Sequence, residues 1–234
     1  KKKEMLGNFF RLGHLYTNGI LKTLDHDFAS HSDGMVIPHG LYDLRRNMGH
    51  ITLGRSHDTS EFSCDCFFNW WRRYGMRAYP NASEILLFCD CGGSNNYRHH
   101  IFKEDLQRLV NRIEIPIRIA HYPPYCSKYN PIEHRLFPHV TRACQGIVFQ
   151  TLEIIKQFIR KTCTRTGLRV TLNVLDREYK TERKATPEFL EAYPILFDEY
   201  LTDLNYTAVS NSRRVGCEWG VRWDAIARVA RYAV

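Results

Sequence analysis

The sequence predicts an α/β domain built around a parallel βαβ unit, and three stretches carry that prediction. In "EILLFCDCGGSN" the apolar run Ile85 to Cys89 ends at Asp90 and a Gly92-Gly93 turn, the pattern of a strand buried on both faces. In "YRHHIFKEDLQRLVNRI" Ile101 or Phe102, Leu106, Leu109, Val110 and Ile113 recur at helical spacing. In "IPIRIAHY" Ile115, Ile117 and Ile119 alternate as in a second strand. A strand, a helix and a strand in that order form a right-handed crossover with the strands parallel. Asp90 and the segment His121–Pro124 then fall at one carboxyl rim, where open α/β sheets place their sites.

The other elements follow in order along the chain. "MVIPHGLYDL" and "HITLGR", separated by "RRNMG", read as a hairpin. Asp58 or Thr59 is a candidate N-cap for a helix with Phe62, Cys66, Trp70 and neighbouring Phe67 on one face, and Gly75 as its stop. The aromatic cluster Phe67, Phe68, Trp70 and Trp71 reads as core. "TLEIIKQFIRKTCTRTG" predicts an amphipathic helix with Leu152, Ile155, Phe158 and Ile159 inside and Gly167 at its end. "LRVTLNVL" is a last alternating strand. The character changes at Ala208. Residues 1–207 read as the domain, and 208–234 as an unrelated tail beyond a damaged stop, with Trp219, Trp223, Ile226 and Val229–Ala230 at roughly helical spacing.

Composition narrows the function. With 44% hydrophobic and 25% charged residues over 234 positions, the chain suits one globular domain. No apolar run reaches the roughly 18 residues of a membrane span, and no signal-peptide pattern is present. A formal net charge of +8 favours a polyanionic partner, most simply nucleic acid. The eight cysteines read as free thiols. Cys64/Cys66 and Cys89/Cys91 have one intervening residue each, the wrong spacing for structural zinc, and Cys89 and Cys91 read as small hydrophobes on one strand face.

The chemistry centres on "YPPYCSKYNPIEHRLF". Asn130 is a good N-cap, Pro131 suits the first helical position, and Glu133 stands three residues after the cap, as in a capping box. Asp90 has a similar structural reading, as a turn residue bonded to the Gly92-Gly93 backbone. Brought to one rim, however, two carboxylates suit a hard cation such as magnesium, and paired ions of that kind serve phosphoryl transfer. Lys128, His134 and Arg135 lie beside Glu133, and Ser94, Asn95 and Arg98 beside Asp90, suited to holding backbone phosphates. Each of these six also reads as a solvated surface residue.

Several blocks resemble, in order and spacing, the Rhodopirellula-type DDE transposases of bacterial insertion sequences. They are "IPHGLYDLRRNMGHITLGRSHDTSEF", "WWRRYGMRAYPNASEILLFCDCGGSNNYR", "HYPPYCSKYNPIEHRLF", "TRTGLRVTLNVLDREYK" and "LNYT", within residues 1–207. The resemblance implies a ribonuclease-H-like mixed sheet flanked by helices and an Asp–Asp–Glu triad holding two Mg2+ or Mn2+ ions. It implies cleavage of the element's DNA ends and joining of the 3′-hydroxyl to target DNA, by a homo-oligomer in the bacterial cytoplasm, associated with the nucleoid. Asp90 matches the second aspartate and Glu133 the glutamate.

Three departures shape the expectations. Tyr125, Cys126 and Tyr129 replace Gly, Thr and Trp, and Tyr125 enters a loop that needs positive φ. The first aspartate belongs to a segment resembling Asp-Thr-Lys-Lys-Lys-Glu and falls two residues before Lys1, so most of the central first strand is expected to be missing. The chain also continues through residues 208–234, past the family's usual end. Asp27, Asp43 and Asp58 are candidate substitutes, with Asp43 the best placed. The expectation is a transposase domain inert by itself; the alternatives are a nuclease of the same fold, a non-catalytic DNA-binding remnant and, distantly, a zinc-structured module.

Overall fold

The computed structural model describes residues 3–214, so the predicted helical spacing from Trp219 to Ala230 lies outside the described residues. The chain opens with three antiparallel strands, β1 (Glu4–Leu6), β2 (Gly34–Asp43) and β3 (Met48–Gly54). The predicted hairpin is β2–β3, turned at Asn47 with φ 51°, a left-handed conformation that asparagine tolerates. Helix α1 (Ser60–Trp70) is capped by Thr59, whose hydroxyl accepts from Phe62 N at 3.1 Å. A π-turn over Trp71–Gly75 carries it into α2 (Met76–Ala78).

The βαβ unit is present as β4 (Ile85–Cys89), α3 (His100–Ile113) and β5 (Ile117–His121), its strands parallel with Ile85 opposite Ile117 and Cys89 opposite His121. Then come α4 (Pro131–Arg135), α5 (Phe137–Ala143) and α6 (Leu152–Arg160). The last elements are β6 (Arg169–Leu175), α7 (Pro187–Ala192), β7 (Ile195–Phe197), β8 (Asn205–Ala208) and α8 (Asn211–Arg214).

The strands form two four-stranded mixed sheets, β1-β2-β3-β6 and β4-β5-β8-β7. β6 runs parallel to β3, and β8 antiparallel to β5. Ile37 packs with Phe62, Cys66 and Tyr179, placing α1 on one face of the first sheet; Ile51 and Leu53 pack with Leu136, Phe149, Ile155 and Ile159 on the other. On the second sheet, Ile117, Ile119 and Tyr206 pack against Phe102, Leu106 and Val110 of α3, Phe67 of α1 and Trp71 of the π-turn. The expected ribonuclease-H-like α/β layering is therefore present, but its sheet is divided. The β2 edge and the β4 edge face each other across a cleft of about 320 Å³ lined by Gly40–Arg45 and Glu84–Phe88.

Three expectations need correction. β4 is not buried on both faces, since Leu86 is 43% and Phe88 37% exposed. Alternate residues point to opposite faces, and α1 and α3 cover only the face of Ile85, Leu87 and Cys89. Gly75 does not stop its helix: a Cβ there would meet the Trp71 ring at 2.3 Å, so the glycine is needed for packing while the helix runs on. The amphipathic helix ends at Arg160 rather than Gly167, which instead takes φ 90° in the turn before β6.

Ionic contacts bind the 176–186 segment to α1 and α3. Asp105, 3% exposed, accepts from Ser60 Oγ at 2.5 Å and from Arg183 at 2.9 and 3.1 Å. Asp65 accepts from Arg112 at 3.0 Å, Arg177 at 2.7 Å and the Tyr179 hydroxyl at 3.1 Å.

His50 is also enclosed, between Trp70 and Tyr74, with Nδ1 bonded to Thr171 Oγ1 at 2.6 Å. Burial pulls its pKa down to about 4, with nearby Asp43 opposing and Arg46 adding to the fall. The unfolded chain therefore binds a proton that the folded chain refuses between its ordinary 6.5 and about 4. The stabilising contribution is complete above 6.5 and is lost as pH falls towards 4, about 3 kcal/mol in all. Urea midpoints at pH 7 and pH 4.5 are expected to show this decline, and His50→Gln to flatten it. An equal decline in the variant would assign the acid sensitivity elsewhere.

Candidate active site at the carboxyl rim

Asp90 follows directly on β4, and its position is fixed from below. His121, at the end of β5, bonds the Asp90 carbonyl through Nδ1 at 3.0 Å and receives the Tyr206 hydroxyl on Nε2 at 2.9 Å. Burial lowers the His121 pKa, with the bond to Asp90 opposing and Lys103 adding a smaller downward push, so the ring is held neutral. Tyr122 N donates to the Cys89 carbonyl at 2.9 Å, and Cys91 Sγ to the Tyr122 carbonyl at 2.8 Å. Cys91 therefore sits in the turn, not on the strand face with Cys89. The buried Lys103 ammonium donates to the Tyr97 carbonyl beneath the same loop. His121 was missed in the sequence, although it continues the alternation of Ile117 and Ile119 into the core.

The second carboxylate arrives through the loop after β5. Tyr125 takes φ 65° and is fully exposed, so the loop does ask its tyrosine for a left-handed backbone. Such a backbone costs a residue with a Cβ about 1 kcal/mol, most for a β-branched one. Tyr125→Gly is accordingly expected to leave the unfolding midpoint unchanged or slightly raised. Tyr125→Val should lie about 1 kcal/mol below the glycine variant; equal midpoints would show that the loop does not enforce this conformation.

Asn130 caps α4, its Oδ1 accepting from Ile132 N at 3.3 Å. Half of the expected capping box is absent. Glu133 donates its backbone N–H to the Asn130 carbonyl at 3.0 Å, but its carboxylate makes no hydrogen bond among the described residues. Gly40 lets α4 and α5 approach β2, because a Cβ there would lie 2.8 Å from the Phe137 ring and 3.3 Å from Ile132. The Glu133 side chain is thereby brought to a cavity of about 100 Å³ whose wall also includes Asp90, His39, Gly40, Leu41 and Asn95.

The oxygen donors of Asp90 and Glu133 suit a hard divalent cation in kind. In number they fall short: among the described residues no three His, Cys, Asp or Glu side chains cluster as a metal site. Asp43 does not supply the third. Both its oxygens accept from the Tyr79 hydroxyl, at 2.7 and 2.8 Å, and it lines the cleft beside Glu84 and Ile85, at the other end of β4 from Asp90. Asp58 lies near Gly93, its Oδ2 3.8 Å from a Cβ built there, whereas Asp27 is exposed in the early loop region.

Of the six predicted phosphate contacts, Arg98 shares an open cleft of about 600 Å³ with Asp90 and the Tyr122–Tyr125 segment, its Nε donating to Tyr97 Oη at 2.9 Å. Lys128, His134 and Arg135 are exposed, although the His134 Nε2 is engaged by the Lys128 carbonyl. Asn95 is a correction. Its Oδ1 accepts from Ser63 Oγ at 2.8 Å, and Ser63 in turn takes His39 Nε2 at 2.8 Å, so Asn95 fastens the loop to α1. Ser94 donates to the same Asn95 oxygen at 3.4 Å.

Residues 1–210 match the family model of the Rhodopirellula transposase DDE domain. The chain belongs to this family. No curated protein and no solved structure matches it. The transposase domain is of a class that cuts DNA, and its mixed α/β architecture is consistent with a ribonuclease-H-like DDE fold. Among the described residues, no helix of this transposase domain is long and apolar enough to cross a membrane.

Proposed function

We propose that this DDE domain performs divalent-metal-dependent DNA end cleavage and strand transfer, with Asp90 and Glu133 as two of three metal-binding carboxylates. The observation that carries the reading is that Asp90, at the end of β4, and Glu133, in the first turn of α4, line one cavity. Mg2+ or Mn2+, two ions in a complete site, would supply charge neutralisation at the scissile phosphate. His121 and Tyr206 hold the backbone of Asp90 in place, and Asn130 fixes the turn from which Glu133 projects. Arg98, Lys128 and Arg135 hold DNA phosphates at the rim, and the domain acts in the bacterial cytoplasm as a homo-oligomer.

The third carboxylate is assigned to a strand between β2 and β4. β1 pairs Glu4 with Val36, Met5 with Met35 and Leu6 with Gly34. Beyond these pairs, the β2 edge at Gly40 and Leu41 has no strand paired to it among the described residues, and it walls the cavity of Asp90 and Glu133. The resemblance gives the first aspartate to a strand that would pair there. Residues 211–234 are proposed to lie outside the catalytic unit; the expected boundary at Ala208 moves, because Ala208 pairs with Ile117 and Ile195 at the end of β8.

A strand-transfer assay with a pre-cut DNA end tests this. A polypeptide limited to residues 1–234 should join no DNA. The same chain preceded by an apolar strand ending in Asp-Thr should join it in Mg2+ and not in EDTA. Nicking by water without joining would instead favour a nuclease, and metal-independent binding without either reaction would favour a DNA-binding remnant.

A further inference from the structure

At the opposite end of the strands from Asp90 and Glu133 lies a second concentration of chemistry that the proposed reaction does not use. A cleft of about 300 Å³ is lined by Arg46, Arg73, Arg77, Tyr74, His50 and Trp70, among others. The three arginines are exposed and form no salt bridge among the described residues; Arg73 bonds Asn173 Oδ1 at 2.6 Å. Arg169 adds a fourth charge from the start of β6, on the face of Thr171 and Asn173. The one carboxylate in the lining, Asp43, is engaged by the Tyr79 hydroxyl and by the Arg46 backbone N–H at 3.1 Å.

Exposed arginine forks around an exposed tyrosine ring suit one ligand chemistry, the phosphodiester backbone of DNA.

We propose that the Arg46–Arg73–Arg77 cleft is a second DNA-backbone site, remote from the carboxylates. β4 rises about 13 Å from Ile85 to Cys89, at the end that carries Asp90. That is about four base steps of duplex, so the two sites can engage one DNA on both sides of a cut. The proposal rests on DNA being the substrate and not on the domain being catalytically active.

The test is anisotropy of a short labelled DNA duplex across a KCl series. Arg46→Gln, Arg73→Gln and Arg77→Gln combined should lower affinity about tenfold or more and flatten the dependence of log K on log salt by about 2 to 3. Lys161→Gln, Lys180→Gln and Lys184→Gln combined remove the same charge elsewhere and should have a much smaller effect. Unchanged affinity and slope in the arginine variant would overturn the proposal, as would an equal loss in the lysine variant. Should the triple variant unfold, Arg77→Gln alone should reduce the slope by about 1, and no reduction would be equally decisive. Glu133→Gln should leave this binding intact. Loss of strand transfer with intact arginine-dependent binding therefore counts against the metal site alone.

Discussion

Glu133→Gln and Asp90→Asn, each made in the chain preceded by the Asp-Thr strand, are expected to reduce strand transfer by about three orders of magnitude or more. Metal-held charge supplies several kcal/mol at the transition state, and each ~1.4 kcal/mol is tenfold in rate. The fold should not share the loss. Glu133 is exposed and its carboxylate has no hydrogen-bond partner among the described residues, so its amide variant should unfold within about 0.5 kcal/mol of the parent. Asn130→Ala makes the contrast, because it removes the side-chain cap of α4 and should cost about 1 kcal/mol. Joining rates and urea midpoints of these variants separate the cap from the carboxylate. A Glu133→Gln variant that destabilises as Asn130→Ala does, and retains joining, would return Glu133 to a structural role.

The largest expected loss of stability comes from Asp105→Ala, about 3 to 5 kcal/mol. Its carboxylate is 2% exposed and gathers Ser60, both terminal nitrogens of Arg183 and, more distantly, Arg108 at 3.8 Å. Removing the acid leaves the Arg183 guanidinium, among the described residues, with Glu61 at 2.9 Å, and leaves Thr186–Glu104 as the hydrogen-bonded tie of the 176–186 segment to α3. Arg183→Ala should cost slightly less, since Ser60 still bonds Asp105. Arg55→Ala is the matched control. Its pairing with Asp176, at 3.6 Å and with both side chains at least 60% exposed, should be worth less than about 0.5 kcal/mol. Equal urea midpoints for Asp105→Ala and Arg55→Ala would contradict the account of how this segment is held.

Much of this was readable in the sequence because the determinants are local. The run Ile85 to Cys89, the stripe Leu106, Leu109 and Val110 and the alternation of Ile117 and Ile119 each define their own element, and the crossover rule then aligns Asp90 with His121. Thr59 and Asn130 cap as their positions announce. Non-local packing was not readable. Gly75 resembles a helix stop, but is required by the Trp71 ring across one turn. Leu86 and Phe88 register a demand for burial, and nothing in the run itself says whether another layer meets it. Asn95 has the polarity of a surface contact, and only the arrival of Ser63 and His39 turns it inward. The clamp around Asp105 was the least legible, since Arg183 lies 78 residues away.

Asp90 and Glu133 are proposed to hold one divalent-cation site completed from the slot between β2 and β4. Calorimetric titration of Mn2+ into the chain preceded by the Asp-Thr strand tests it most directly. Saturable binding is expected, weaker in a polypeptide of residues 1–234 alone and lost in both Asp90→Asn and Glu133→Gln. Binding of equal strength in either carboxylate variant would contradict it.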